Sequence, residues 1–74
     1  MNIIKLDITG MQWSQAFFKM AAKTIVMQQG DIPEISGSSY DFRQYIDAFC
    51  KRIKKEPAYL EQDKDGIKRC HIHF

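Results

Sequence analysis

Of all the residues in the sequence, two histidines near the end of the chain are the best candidates for a chemical site, by their type and their spacing. His71 and His73 lie two positions apart in the segment Cys70-His71-Ile72-His73. On a β-strand their imidazoles point to the same side and could share a zinc or nickel ion. A structural site needs two further ligands, Cys70 points to the opposite side, and the sequence has no Cys-x-x-Cys pair. We therefore expect no native metal site and no cofactor, and interpret both histidines as part of a solvated strand face.

The other reactive groups do not form a catalytic constellation. Cys50 lies at the edge of the apolar stripe of a predicted helix, where a cysteine usually behaves as a small apolar residue. Asp47 is spaced for helical ion pairs with Arg43 and Lys51, and Asp63 is a turn former. The sequence has no glycine-rich phosphate loop, no G-x-S-x-G and no H-E-x-x-H. We therefore predict that the protein is not an enzyme.

Basic residues are concentrated in the second half of the chain. The 11 Lys and Arg exceed the 9 Asp and Glu by two, and the whole excess lies in residues 38–74. A helix with a basic end followed by a β-hairpin is the second half of a winged helix-turn-helix motif. In this alternative, helix 39–55 would enter the major groove and the hairpin at 58–74 would form the wing. The residues assigned to nucleic-acid contact are Arg43, Gln44, Lys51, Arg52, Lys54, Lys55, Lys64 and Lys68.

Three features argue against DNA or RNA as the target. Asp41 and Asp47 lie on helix 39–55, where they would repel phosphates. The isoelectric point near 8.6 is below the value of about 9 expected of a dedicated nucleic-acid-binding domain. The segment at 30–38 is short for the additional helix that the motif requires. Nucleic-acid binding therefore stays the alternative to protein binding.

Apolar periodicity predicts the elements that must position these residues. Ile4, Leu6 and Ile8 alternate with polar residues, which is typical of a strand with one buried side. Two later segments have helical spacing. The first is apolar around so much of its circumference that we expect it to be central, in contact with both the sheet and the second helix. The predicted elements are a strand at 2–9, a helix at 11–29 that stops at Gly30, an irregular stretch at 30–38, a helix at 39–55 opened by Ser38, and a hairpin at 58–74.

The turn of the predicted hairpin sets which side chains share a face. Asp63 to Ile67 suits a type I turn with Gly66 in the left-handed conformation. Closing the hairpin on Asp63 and Ile67 places Tyr59 opposite His71, because register follows from the turn. The face toward the helices is then Ala58, Leu60, Cys70, Ile72 and Phe74, and the open face is Tyr59, Glu61, Arg69, His71 and His73.

The composition is that of one small folded domain. The 74 residues are 45% hydrophobic, which excludes a disordered tail, and no repeat or linker divides residues 1–74. We predict a single α+β domain in the order β-α-α-β-β, with two helices on one face of a three-stranded antiparallel sheet. The sequence shows no secretory signal, no membrane-spanning run and only two cysteines. We therefore expect a cytoplasmic protein with reduced thiols and no membrane association.

These observations favour a non-catalytic binding protein. A chain of this size is expected to act stoichiometrically as a regulator or inhibitor of a larger protein or complex, as phage- or host-encoded antagonists do. Tyr, Arg and His are enriched at protein interfaces, and the open hairpin face adjoins the basic end of helix 39–55. The N-terminal strand, if it lies at a sheet edge, could pair with a second copy to give a homodimer. The residues predicted to contact the partner are Tyr59, Glu61, Arg69, His71, His73, Lys51, Lys54 and Lys55.

Overall fold

Two helices pack against one face of a four-stranded mixed sheet in the computed structural model, which describes residues 2–74. The strand order is β1-β2-β4-β3. The predicted α+β class is confirmed, but the sheet has four strands and not three, and it is mixed and not antiparallel. Neither helix in this range is long and apolar enough to cross a membrane. The elements are β1 (Asn2–Asp7), α1 (Trp13–Thr24), β2 (Asp31–Gly37), α2 (Phe42–Ile53), β3 (Pro57–Tyr59) and β4 (Lys68–Ile72).

The prediction of an irregular stretch at 30–38 is wrong, because these residues contain the central strand β2. This strand pairs in parallel with β1 from Asp31 to Ser36 and antiparallel with β4. Proline and glycine are rare in central strands, and β2 contains Pro33 and Gly37. The antiparallel register covers Glu34 to Gly37 and stops short of Pro33, which has no N–H to donate. Burial of Ile35 between the helices and the neighbouring strands stabilises a strand that local propensity does not favour.

Helix α1 is shorter than predicted. It was expected at 11–29, with Gly30 as its stop, and it spans Trp13 to Thr24. Its first turn is closed by the N–H of Gln12, which donates to Oε1 of Gln15 at 3.2 Å. Gly30, with φ of +96°, instead lies in the turn that leads into β2. The twelve residues of α1 rise about 18 Å at about 1.5 Å per residue, close to the length of about 20 Å of the six-residue β1. The helix therefore already returns the chain to the level at which β2 starts beside Asn2.

Helix α2 forms where the sequence predicted it, with shorter ends. The prediction was 39–55, and the helix spans Phe42–Ile53 and ends at Lys54, which adopts a left-handed conformation with φ of +58°. The predicted stripe faces the sheet as expected. Its members are buried or half-buried: Phe42, Tyr45, Ile46, Phe49 and Ile53.

The predicted register of the hairpin is wrong by one residue. Tyr59 lies opposite Cys70 and not opposite His71, and Ala58 takes the position opposite His71. The turn itself closes as predicted, because the N–H of Asp63 donates to the carbonyl oxygen of Ile67 at 3.2 Å.

The error arises between the turn and the strands. The N–H of Leu60 donates to the carbonyl oxygen of Arg69 at 2.9 Å. Three residue steps therefore separate Leu60 from Asp63, while two separate Ile67 from Arg69. This extra residue is a bulge, which shifts β3 by one position and turns each of its side chains to the other face.

The core lies between the two helices and one face of the sheet. The helices contact each other through aromatic pairs: the ring of Trp13 stacks on that of Tyr45 at a centroid distance of 4.5 Å, and Phe17 meets Phe49 edge-on at 5.5 Å. The opposite face of the sheet carries no helix. The core residues are Leu6, Ile8, Ala16, Met20, Ile35, Phe42, Ile46, Phe49, Cys50, Cys70 and Ile72.

Candidate functional site

The helix-free face of the sheet carries a row of polar side chains at its centre. Lys5, Glu34 and His71 are neighbours across β1, β2 and β4. Nε2 of His71 lies 2.9 Å from Oε1 of Glu34, and both side chains are only about one-fifth exposed, at 20% and 18%. The ring of His73 lies 6.5 Å from that of His71. The structure therefore brings the two histidines together on this face, with Glu34 as the hydrogen-bond partner of one of them.

Among residues 2–74, no three His, Cys, Asp or Glu side chains come together as a metal site. Cys70 lies on the other face of the sheet and Cys50 lies on α2, and both are inside the core. Burial raises the pKa of the Cys50 thiol to about 11 and that of Cys70 to about 12. Both thiols are therefore protonated at neutral pH, when a nucleophilic cysteine would need to be a thiolate. The interpretation of Cys50 as a core residue is confirmed.

Tyr59 was predicted on the open face, and that placement is wrong because of the bulge. Its ring lies against α2, with the Arg43 guanidinium 4.4 Å from the ring centroid. Its hydroxyl donates to the Asp47 carboxylate and lies 3.0 Å from the carbonyl oxygen of Arg43. Burial and the bond to the Asp47 carboxylate raise the pKa of the Tyr59 phenol. Tyr59 thus ties the hairpin to α2, and the open face lacks the aromatic side chain expected there.

Two other hairpin residues were predicted to contact the partner, Glu61 and Arg69. Glu61 is exposed in the loop between β3 and β4 and is not part of either strand. Nη1 of Arg69 lies 3.0 Å from Oδ2 of Asp63. Hydrogen bonds to Asp63 from the N–H of Ile67 and from Arg69 lower the pKa of its carboxyl group. Arg69 is therefore engaged in holding the turn.

The residues of the nucleic-acid alternative fall into two separate groups. Arg43 lines a small cavity of about 190 Å³ together with Lys68 and Arg69. Lys54 lies at the other end of α2, about 16 Å away for a rise of about 1.5 Å per residue. Strand β2 separates the two helices of residues 2–74, so these residues do not contain the helix-turn-helix that a winged helix requires. The basic group at the end of α2 comprises Lys51, Arg52, Lys54 and Lys55, and the exposed Gln44 and Lys64 lie outside it.

Strand β1 lies at an edge of the sheet, which is the condition for its pairing with a second copy. The N–H groups of Asn2 and Ile8 donate to β2 or to the turn before it. Backbone groups alternate in direction along a strand, so those of Ile3, Lys5 and Asp7 point away from the sheet. Nζ of Lys19 donates to the carbonyl oxygen of Asp7 at 2.7 Å and covers one end of this edge. Pairing of β1 with a second copy stays a prediction.

An exposed apolar surface along α1 was not foreseen. We expected α1 to be central, yet its outer side is uncovered, because a single helical layer leaves each helix with one face in solvent. Phe18 is 76% exposed and Ile25 is 82% exposed. The sequence signal was the width of the apolar arc, which exceeds what one buried face needs. We call the exposed side chains the α1 stripe: Met11, Phe18, Ile25 and Val26.

A groove between the helices continues the α1 stripe. It consists of two adjoining cavities of about 370 and 350 Å³ that share Phe17 and Arg52. The guanidinium of Arg52 lies 5.2 Å from the centroid of the Phe17 ring. We call this feature the α1–α2 groove and define it by Phe17, Ala21, Ile25, Phe49, Arg52 and Ile53.

A narrower cleft lies where the carboxyl ends of β1 and β2 meet the starts of both helices, the usual ligand position in sheets of parallel strands. Its volume is about 220 Å³, and Gly10, Trp13, Gly37 and Ser38 contribute to its walls. Every buried side-chain N or O atom of residues 2–74 has a hydrogen-bond partner. The cleft therefore presents no buried polar side chain without a partner to a ligand.

Comparison with known proteins finds no family model, no curated protein and no solved structure that matches this chain.

Proposed function

We propose that this protein is a small, non-catalytic intracellular protein that binds a larger protein stoichiometrically and regulates or inhibits it. The observation that supports this proposal is the exposure of large apolar side chains in the α1 stripe. Met11 and Phe18 line one surface cavity, and Ile25 lines the α1–α2 groove. Apolar side chains that line a shared surface in this way are typical of an interaction site. Covering a side chain such as Phe18 or Ile25 would contribute on the order of 1.5–3 kcal/mol to binding.

The α1 side of the molecule is a better contact surface than the open hairpin face that the sequence suggested. On the hairpin face, His71 is paired with Glu34 and Arg69 with Asp63, so a partner would have to compete with these contacts. The α1 stripe makes no such internal contacts. Lys51, Lys54 and Lys55, at the end of α2, stay as proposed contacts at the margin of the interface. His71 and His73 lie on the helix-free face of the sheet, away from α1, and are not part of this proposed surface.

An affinity pull-down from cell lysate, with and without nuclease, tests the proposal. We expect a discrete protein partner that survives nuclease and sediments with the purified chain at a fixed molar ratio. Phe18→Ser and Ile25→Ser are expected to remove the partner. Tyr40→Ser is the matched control, because Tyr40 is 96% exposed but lies in the loop before α2. Equal retention of the partner by all three variants would contradict the proposed surface.

The second candidate function is nucleic-acid binding by the basic end of α2. It is favoured by the absence of any ion pair to Lys51, Lys54 or Lys55 among the described residues. If this function is correct, recovery collapses on nuclease treatment. Replacing the three lysines by Gln would then abolish binding, and the salt dependence would become shallower because fewer counterions are released.

A further inference from the structure

We infer that the small cavity between the start of α2 and the hairpin binds a phosphate monoester, held by Arg43 and Lys68. The inference goes beyond the proposed function, because no residue of α1 lines this cavity. Its volume is about 190 Å³, whereas pockets for drug-sized ligands measure about 300–1,000 Å³. The cavity therefore suits a small charged head group.

The hairpin and α2 each bring one cation to this cavity. Tyr59 lies opposite the core residue Cys70, so both side chains lie on the face of the sheet that carries the helices. Because side chains alternate along a strand, Lys68 lies on the same face as Cys70. Arg43, in the first turn of α2, lines the same cavity. Two residues that are far apart in the sequence thus meet at one site.

The two cations have no carboxylate partner. Neither Arg43 nor Lys68 forms an ion pair among the described residues, and no Asp or Glu lines the cavity. Arg69 also lines it, but its guanidinium is paired with Asp63. Like charges at one small cavity repel each other, and Lys68 is half-buried, where solvent screens charge less effectively. A bound anion would remove this repulsion.

The donors at the cavity match a phosphate better than a carboxylate. The Arg43 guanidinium can donate two parallel hydrogen bonds to an oxyanion, and the Lys68 ammonium and the Gln62 amide add further donors at the cavity wall. A phosphate monoester carries a charge of about −1.5 to −2 and three strong acceptor oxygens. A carboxylate has one charge and two oxygens. Two unpaired cations therefore favour the phosphate.

The arginine is held in place before any ligand binds. Its Cζ lies 4.4 Å from the centroid of the Tyr59 ring, and the Tyr59 hydroxyl donates to the Asp47 carboxylate. A guanidinium over an aromatic ring keeps its N–H groups in its own plane, free to donate to an oxyanion. Phe42 and Leu60 give the cavity apolar walls, on which the organic part of the ligand can rest. Such preorganisation lowers the entropy cost of binding.

Titration of the ¹⁵N-labelled full chain with phenyl phosphate, followed by NMR, tests this inference. We expect saturable shifts of the amides of Arg43, Gln62 and Lys68. Arg43→Gln and Lys68→Gln are each expected to weaken binding about tenfold or more, as for loss of a charge-assisted hydrogen bond. Lys68→Arg keeps the charge and is expected to retain binding, which separates loss of charge from loss of fold. Lys64→Gln, in the turn of the same hairpin, is the matched control and is expected to change the affinity less than about threefold.

Benzoate is the matched ligand control, because it places a carboxylate on the same ring. We expect it to bind about tenfold more weakly than phenyl phosphate. Equal binding of the two ligands would overturn the phosphate assignment. The inference would also be overturned by an affinity that both Arg43→Gln and Lys68→Gln leave unchanged, or by the absence of saturable shifts up to about 10 mM phenyl phosphate. Phe18→Ser is expected to leave this affinity unchanged, so the failure of the inference is distinguishable from the failure of the proposed function.

Two further ligands identify the source of the phosphate. A phosphoserine-containing peptide that binds about tenfold or more tightly than free O-phosphoserine would identify a phosphorylated protein segment. Equal affinity would identify a free phosphate monoester of low molecular weight, and both results support the site. An oligonucleotide without a terminal phosphate that binds as tightly as the peptide, and is weakened equally by Arg43→Gln, would assign the cavity to nucleic-acid phosphodiesters and overturn the inference.

Discussion

Replacement of Tyr59 by Phe tests the corrected register of the hairpin. The substitution keeps the ring against α2 and removes only the hydroxyl that bonds the Asp47 carboxylate. A hydrogen bond to a charged group contributes about 1.5–3 kcal/mol. Because Asp47 is exposed and Tyr59 is half-buried, solvent weakens this bond. We therefore expect Tyr59→Phe to lower the free energy of unfolding by about 1 kcal/mol, or to lower Tm by about 4–8 °C.

Urea denaturation followed by circular dichroism measures this change. Tyr40→Phe is the matched control, because Tyr40 is exposed and makes no hydrogen bond among those of the described residues, and it is expected to lie within about 0.5 kcal/mol of the natural chain. Asp47→Asn completes a double-mutant cycle in which the two changes together cost less than their sum. If Tyr59→Phe behaved like Tyr40→Phe, Tyr59 would lie on the open face, and the bulge that we describe would be refuted.

Two further predictions concern the core. A Cβ at Gly37 would lie 2.7 Å from Cδ1 of the buried Phe42 ring, so Gly37→Ala is expected to destabilise the fold by about 1–3 kcal/mol, measured as a lower urea midpoint. A midpoint equal to that of the natural chain would contradict this packing. Burial holds the pKa of Cys50 at about 11 and that of Cys70 at about 12, above the ordinary 9.0. Their stabilising contribution is complete below pH 9 and is lost as the pH rises through these values, because the unfolded chain releases its protons first. Unfolding measured from pH 7 to 11 is expected to show this loss, and Cys50→Ala is expected to reduce its slope; an unchanged slope would contradict the assignment.

Local sequence patterns correctly predicted the parts of the fold that are stabilised by interactions between residues close in the sequence. The alternation of Ile4, Leu6 and Ile8 correctly predicted β1, and the helical spacing from Phe42 onward correctly predicted the buried side of α2. The turn from Asp63 also closes as predicted. In each case the neighbours of a residue in sequence decide its conformation.

The wrong predictions concern residues whose conformation is decided by contacts with residues far away in the sequence. Strand β2 contains Pro33 and Gly37, which local propensity places outside a sheet, and it forms because β1 and β4 pair with it on both sides. The placement of Tyr59 depends on one extra residue between Leu60 and Asp63, which no alternation pattern reveals.

The features of the candidate site also fall into two groups, those that the sequence determined and those that only the tertiary structure decided. The sequence by itself determined that His71 and Arg69 share a strand face, that Cys70 is core, and that α1 has more apolar surface than one contact requires. Only the tertiary structure decided which part of that surface is exposed. The helical period shows which residues share a side of the helix, but it does not show which neighbouring element covers that side. The groove beside Phe17 and Arg52 exists because α2 packs next to α1 on the same face of the sheet, a contact between residues that are far apart in the chain.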